Sequence, residues 1–424
     1  MRIEGSVKKG FEPLKALFER RMNELAERNA QLCIYVGDER VVDLWCASPG
    51  EDHFSGDSLV NVFSSGKSLE AIALASLHDR GLLEYDRKIA DYWPEFSGNG
   101  KQDVSVADLM RHEAGLAALR TSIPPADLRT ENIKRNAVGR VIESHGQAFR
   151  EGHDQQREYH AITRGWIANE VVRRIDPDGR TIGEFLREDV SGPLGADVYI
   201  GVTEEELARR SPVVPLGVGF QLAQGLKPRR LGRRVEHNIL QTSGRLMKLI
   251  AGMRKGTSKG APAPIQGMQE AGNFAGGFNG PAIAMGETPS ANTHANARGL
   301  ARLAAFMASG GTLSGQQLLG DAGWQALHAA PVQRDMNLFN TVFTQGGVSA
   351  FGQVHDAGSE YDRGANQGRE GFYGWFGLGG SIFQWHPEHK IGFGYVPTSL
   401  NIFDIVNERG KAYQNEAVRC VESL

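Results

Sequence analysis

Strand-like apolar runs lie near both ends of this chain and helical spacing fills the middle, an order that narrows the fold more than any other feature. Residues 32–36 and 41–45 are apolar and β-rich around Gly37-Asp38, a hairpin signal, and 382–385 and 391–396 form a second such pair. Between and around them, apolar residues recur at helical spacing. Phe11, Leu14, Leu17, Phe18, Met22 and Leu25 mark a helix within 11–29, and an amphipathic helix is predicted over 69–77. Further helices are predicted near 132–144, at 162–175, 182–190 and 240–253, at 294–309 behind a Thr293 cap, and at 403–421. The stretch 117–152 is polar and irregular, 256–281 is a Gly/Pro/Ala/Ser-rich loop, and 345–371 reads as an irregular segment beside the substrate. An antiparallel sheet built from both chain ends, flanked by helices and carrying a helical insertion, fits this order: an α+β fold. Residues 1–82 and 290–424 would supply the sheet-containing part and 83–289 the mainly helical part, with a cleft between them.

The motif that carries chemistry is Ser64-Ser65-Gly66-Lys67, placed where an apolar run (Leu59, Val60, Val62, Phe63) hands over to the helix at 69–77. Residues three apart share a helix face, so Lys67 can reach the Ser64 hydroxyl and help remove its proton. The positive field at a helix start disfavours an ammonium and favours the neutral amine that a base requires. The motif alone is weak: Ser6-Val7-Lys8-Lys9 matches too, in a polar leader with no strand before it. The plain alternative for Ser64 is a capping serine with a solvated lysine one turn on.

Two further segments change the balance. Tyr159-His160-Ala161 precedes the helix at 162–175, and Trp375-Phe376-Gly377-Leu378-Gly379-Gly380-Ser381 opens the strand that runs on through Ile382. In this order the three segments resemble the serine β-lactamase and penicillin-binding-protein superfamily, and most of all the class C β-lactamase-like esterases. Val62 to Lys67, Asp79-Arg80-Gly81-Leu82-Leu83, Tyr92-Trp93-Pro94-Glu95-Phe96, Leu109 to Leu116, Gly192-Pro193-Leu194-Gly195 and Gln384 to His389 are similar to that group as well. The resemblance implies Ser64 as nucleophile and Lys67 with Tyr159 as a coupled base pair whose shared proton sequence cannot place. It also implies an oxyanion site made by the backbone N–H groups of Ser64 and Leu378, the latter on an edge strand. Gly377, Gly379 and Gly380 would let substrate approach that strand. His160 lines the cleft or packs in the core. For Tyr159, the alternative is an aromatic packed at a helix start.

The sequence departs from that family at two positions. Ala161 stands where β-lactamases usually carry Asn, and Trp375 stands where they place a Lys or His that meets a carboxylate. Trp375 offers an apolar face and one N–H donor, which cannot neutralise a carboxylate, so uncharged acyl substrates are expected. The leading expectation is a serine esterase working through an acyl-enzyme on a small-molecule ester, with no metal and no cofactor. A β-lactamase, a D-amino-acid peptidase or amidase, an acyltransferase, and a weakly active assembly protein share the same signature.

Other chemistry finds little support. No His-Glu-x-x-His occurs, no Gly-x-Ser-x-Gly surrounds Ser64, and Gly276-Gly277-Phe278 lacks the strand-then-helix setting of a phosphate loop. His386 and His389 flank a hairpin turn and read as surface residues. At 424 residues, with 23% charged residues and a formal net charge of -3, the chain gives no sign of a nucleic-acid or membrane partner. Arg229-Arg230 and Arg233-Arg234 read as solvated loop charges. Cys33, Cys46 and Cys420 are too few for a disulfide framework and read as core residues of a protein from a reducing compartment. Residues 1–10 show no apolar leader, so a cytoplasmic location is expected, with homo-oligomers open.

Overall fold

The computed structural model describes residues 1–148, 156–257, 260–268, 274–336, 338–355 and 358–424. Both hairpins foreseen at the chain ends form and join in one sheet. Its strands are β1 (Arg2–Val7), β2 (Ala30–Val36), β3 (Glu39–Ala47), β4 (Val332–Asp335), β5 (Asn340–Phe343), β6 (Ser349–Ala350), β7 (Tyr373–Phe376), β8 (Ile382–His386) and β9 (Ile391–Pro397). They lie in the order β1-β3-β2-β9-β8-β7-β6-β5-β4 with every neighbour antiparallel. The seam between the chain ends is β2 on β9, where Ile34 pairs with Phe393 and Leu32 with Tyr395.

Alternation along these strands divides the core in two. On one face, Leu32, Ile34, Val42, Leu44, Phe393 and Tyr395 bury against α1 (Glu12–Glu24) and α7 (Glu408–Glu422) through Leu14, Phe18, Tyr413 and Ala417. On the other, Cys33, Tyr35, Trp45, Phe383 and Trp385 join the core built around α2 (Lys67–Asp79) and α6 (Ala297–Ala308). Helix α6 lies tight on β9 because the sheet offers it no side chain there. A Cβ on Gly392 would fall 2.4 Å from the Ala305 nitrogen, and one on Gly394 2.5 Å from the Ala297 oxygen. Cys33 and Cys46 belong to opposite faces, so they are separate core residues. No helix among the described residues is long and apolar enough to cross a membrane.

Several local expectations change. The leader holding Ser6 is strand β1, whose exposed edge needs no apolar pattern. Helix α2 is not amphipathic: residues 67–77 are buried all round, because the helix runs between the helix Asp321–His328 and helix α3 (Thr163–Ile175). Asn296, not Thr293, caps α6, its side chain accepting from the Gly299 N–H at 2.8 Å. His294–Ala295 instead pairs with Val60–Asn61. The helix predicted over 132–144 breaks at Asn136, whose φ is 65°. His386 is buried, stacked edge-on against Phe372, rather than on the surface. The loop predicted at 256–281 and the irregular segments at 117–152 and 345–371 lie partly outside the described residues.

Candidate active site

Ser64 sits in the single 3₁₀ turn Phe63–Gly66 that precedes α2. The short Val60–Asn61 strand feeds this turn and is clamped by the His294–Ala295 strand, with the Val62 N–H donating to the Thr293 oxygen at 2.9 Å. Phe63, directly before Ser64, has φ 46°, a left-handed conformation costing roughly 1–3 kcal/mol in a bulky residue. Asn61 holds it there by accepting the Phe63 N–H at 2.8 Å. Ser64 is partly exposed in this turn, between buried neighbours. As the second residue of the turn, Ser64 keeps an N–H with no intrahelical acceptor.

Lys67 is 1% exposed and its amine has three polar neighbours. The Ala161 oxygen lies at 2.7 Å, the Ser290 oxygen at 2.9 Å and Ser64 Oγ at 3.2 Å. A neutral amine has two N–H donors and one lone pair. In that neutral form the two carbonyls take the donors and the lone pair faces the Ser64 hydroxyl; as an ammonium, Lys67 donates to all three oxygens. Burial is the largest influence on Lys67 and pushes its pKa well below the ordinary lysine value; Glu70 opposes this and Arg164 adds to it. The side chain absent at Ala161 matters less than it would if Asn were needed here, since the backbone carbonyl holds the lysine.

Tyr159 lies against this amine, with Lys67 Nζ 4.8 Å from the ring centroid. Burial pushes its phenol up to about 12, against the opposing pull of hydrogen bonds from Ser64 and Trp375. Trp375 Nε1 donates to the Tyr159 oxygen at 3.0 Å. The phenol oxygen thus accepts from Trp375 and faces the Ser64 hydroxyl, so a proton can pass between the two oxygens. Ser64, Lys67 and Tyr159 therefore meet, although 92 residues separate Lys67 from Tyr159.

The other predicted site residues fare differently. Trp375 is 3% exposed, stacked on Phe376 at 4.5 Å, and its single donor is used by Tyr159 rather than left for substrate. Trp375 to Ser381 is not the opening of one strand. It ends β7, turns tightly, and enters β8. Leu378 lies on that turn and not on an edge strand, since β6 flanks β7. β6 pairs with Gly374 and Tyr373 alone, so the chain beyond Trp375 runs free of it. Leu378 is 41% exposed, whereas the Gly377 and Gly380 N–H groups are spent on the Ser381 and Gly377 oxygens. The glycines admit the protein itself rather than substrate. A Cβ on Gly377 would fall 2.2 Å from both the Val62 oxygen and Ser381 Oγ, and one on Gly379, where φ is 85°, 2.6 Å from Leu400. His160 does not line the cleft. It is fully buried, its Nδ1 donating to the Glu158 oxygen at 2.6 Å and its Nε2 accepting the Leu116 N–H at 3.0 Å, and burial holds its pKa down at about 4.

Residues outside the predicted set hold these groups in place. Arg164, fully buried on α3, donates to Glu70 at 2.9 Å, to the Lys67 oxygen at 2.9 Å and to the Met110 and Gly347 oxygens at 3.0 Å. Ser290 ties to the same Glu70, so its carbonyl is fixed against Lys67. Asn407, just before α7, donates to the Gly377 oxygen at 3.0 Å and the Ser381 oxygen at 2.9 Å, fixing both ends of the Leu378 turn. Arg409 donates to the Gly379 oxygen of the same turn. An arginine within the otherwise apolar face of the helix at 163–175 was the one sequence signal for this scaffold. Among the described residues, the one metal-like grouping is His237, Asp404 and Glu408. Arg409 and Arg245 already answer its carboxylates, at 2.9 Å and 3.0 Å.

Comparison with known proteins gives the family and the fold. A family model described as Beta-lactamase matches residues 14–410. An esterase/beta-lactamase of Mycobacterium tuberculosis (strain ATCC 25618 / H37Rv), LipL, is 28% identical over 298 residues, covering 68% of this chain. The match spans 60% of that relative's length. Among solved structures, a family VIII carboxylesterase superposes with a TM-score of 0.74 at 25% identity, covering 99% of this chain and all (100%) of that one. A penicillin-binding protein homolog from Caulobacter crescentus gives 0.73 at 26% identity over 99% of this chain and 100% of its own.

Proposed function

The chain belongs to the beta-lactamase family, and from that premise we propose that it is a serine hydrolase that cleaves small, uncharged carboxylic esters. The observation that carries this reading is the placing of the buried Lys67 amine between the Ala161 oxygen at 2.7 Å, the Ser290 oxygen at 2.9 Å and Ser64 Oγ at 3.2 Å. Ser64 Oγ attacks the ester carbonyl and forms the new C–O bond while its proton passes to Lys67 Nζ. The carbonyl oxygen takes up negative charge between the N–H groups of Ser64 and Leu378. The alkoxy C–O bond then breaks, the leaving oxygen receives a proton relayed through Tyr159 and Lys67, and the acyl group stays on Ser64 as an ester. Water attacks that ester, gives its proton to the same base pair, and releases the carboxylic acid and free Ser64.

Preference for uncharged substrates follows from the Trp375 position. The cation that would meet a substrate carboxylate there is replaced by an indole whose donor serves Tyr159. The name of the solved family VIII carboxylesterase supports the same direction. Three unpaired buried cysteines support a reducing, cytoplasmic setting. Hydrolysis of short p-nitrophenyl esters compared with a chromogenic cephalosporin tests the substrate class. Ester turnover should exceed cephalosporin turnover by a wide margin in kcat/KM, and the reverse preference would overturn the assignment.

A further inference from the structure

The segment from β-strand Val214–Pro215 to the end of helix α5 (Ile239–Lys255) differs in character from the rest of the surface. Residues 214–255 hold nine Lys/Arg and a single acid, Glu236, in a chain whose formal net charge is -3. Among the described residues, seven of the ten exposed large apolar side chains lie within 218–250. They include Leu226 at 70% exposure, Leu231 at 68%, Leu240 at 80% and Met247 at 70%.

Helix α5 is turned inside out. Thr242 and Arg245 face the body, with Arg245 donating to the Phe403 oxygen at 2.9 Å and to Glu408 at 3.0 Å. Leu240, Met247 and Ile250 share the opposite stripe by helical spacing and face out. Helix α4 (Val218–Gly225) abuts the start of α5, where a Cβ on Gly225 would fall 3.0 Å from the Ile239 nitrogen. Leu226 and Leu240 thus flank one junction. The connecting stretch alternates apolar and basic residues: Leu226, Lys227, Arg229, Arg230, Leu231, Arg233, Arg234. Its arginines, with Arg20 and Arg21 of α1, line an open cavity of about 730 Å³ in which Glu24 and Glu236 are the only acids.

We propose that residues 218–250 form a docking surface for an anionic lipid bilayer, with Leu226, Leu231, Leu240 and Met247 entering the boundary between headgroups and acyl chains. Lys227 and the four arginines of the connecting stretch meet the lipid phosphates. Charge alone would suit any polyanion, and the aliphatic side chains decide between them. Nucleic-acid surfaces pair cations with stacking aromatics, whereas leucines standing 68–80% exposed among arginines match a lipid interface. The surface sits beside the candidate cleft. The Leu216 N–H donates to the Leu400 oxygen at 2.8 Å, and Leu400 packs on Gly379 of the Leu378 turn. Docking itself does not depend on the esterase reading. The sequence reading set these arginines aside because the net charge of the whole chain hides a regional excess.

The test is sedimentation of the full chain with vesicles of phosphatidylcholine alone and of phosphatidylcholine mixed with phosphatidylglycerol. Partitioning should occur on the phosphatidylglycerol vesicles and weaken as salt is raised. The double change Arg229→Gln/Arg230→Gln should lower it by roughly tenfold, and Leu231→Ser/Leu240→Ser by a comparable factor. Both variants should keep wild-type kcat/KM on a soluble short ester, which shows that they fold. No sedimentation of the wild-type chain on either vesicle would overturn the proposal, as would equal binding to both. A salt-resistant dimer that the leucine changes dissociate would overturn it too, since a second copy would then cover the surface.

Discussion

At the scale of single residues, Lys67 sets the pH dependence. Its reactive form is the neutral amine, which populates above its pKa, and burial has moved that pKa well below the lysine norm of about 10.4. The kcat/KM profile should therefore rise with pH and reach its plateau well before that norm; a limb at the ordinary lysine value would contradict this. Lys67→Arg cannot lose its proton and should reduce kcat by about a thousandfold or more at every pH, read by ester hydrolysis. Trp375 acts through Tyr159. Trp375→Phe removes the donor held 3.0 Å from the phenol oxygen, which destabilises the phenolate and raises its pKa further. An approximately tenfold drop in kcat with little change in KM is expected. A rise in KM alone would instead mean that the indole binds substrate.

At the scale of elements, the Leu378 turn is held by the protein's own packing. A methyl on Gly377 would collide with the Val62 oxygen and Ser381 Oγ, both 2.2 Å away. Gly377→Ala should push the turn off the nucleophile loop and lower kcat by about 10²-fold, with circular dichroism unchanged. A variant of normal kcat would show that Leu378 does not serve the oxyanion. The element scale also shows what could be read in advance. Both end hairpins were legible because their apolar runs alternate with turn residues, and α3 and α5 because their periodicity is long. Strand β1 was not, since an edge strand exposed on both sides carries no apolar pattern. The buried character of α2 was not, since one helix says nothing of what covers its second face. Ser64, Lys67 and Tyr159 were legible by motif, and Arg164 only as an arginine on an apolar helix face, but Ser290 and Asn407 act through backbone carbonyls and leave no spacing to recognise.

At the scale of the whole molecule, buried neutral histidines govern acid stability. His160 and His328 are held at about 4 by burial, below an unfolded value of about 6.5. Between those two values the unfolded chain binds more protons than the folded one. Their contribution is thus intact above about pH 6.5 and is lost as pH falls toward 4, by roughly 3 kcal/mol for each. Urea midpoints should fall steeply between neutral pH and pH 5, and a flat profile would contradict the buried placement. The sheet order at this scale follows from closing two chain ends onto one seam, β2 on β9, which the order of strands and helices already implied.

The central claim is that Ser64 alone becomes the nucleophile. Mass spectrometry of the full chain after exposure to a fluorophosphonate tests it most directly. The adduct should map to Ser64, vanish in Ser64→Ala and form far more slowly in Lys67→Ala. A folded protein that takes no label, or one labelled at Ser65 or another serine, would contradict it.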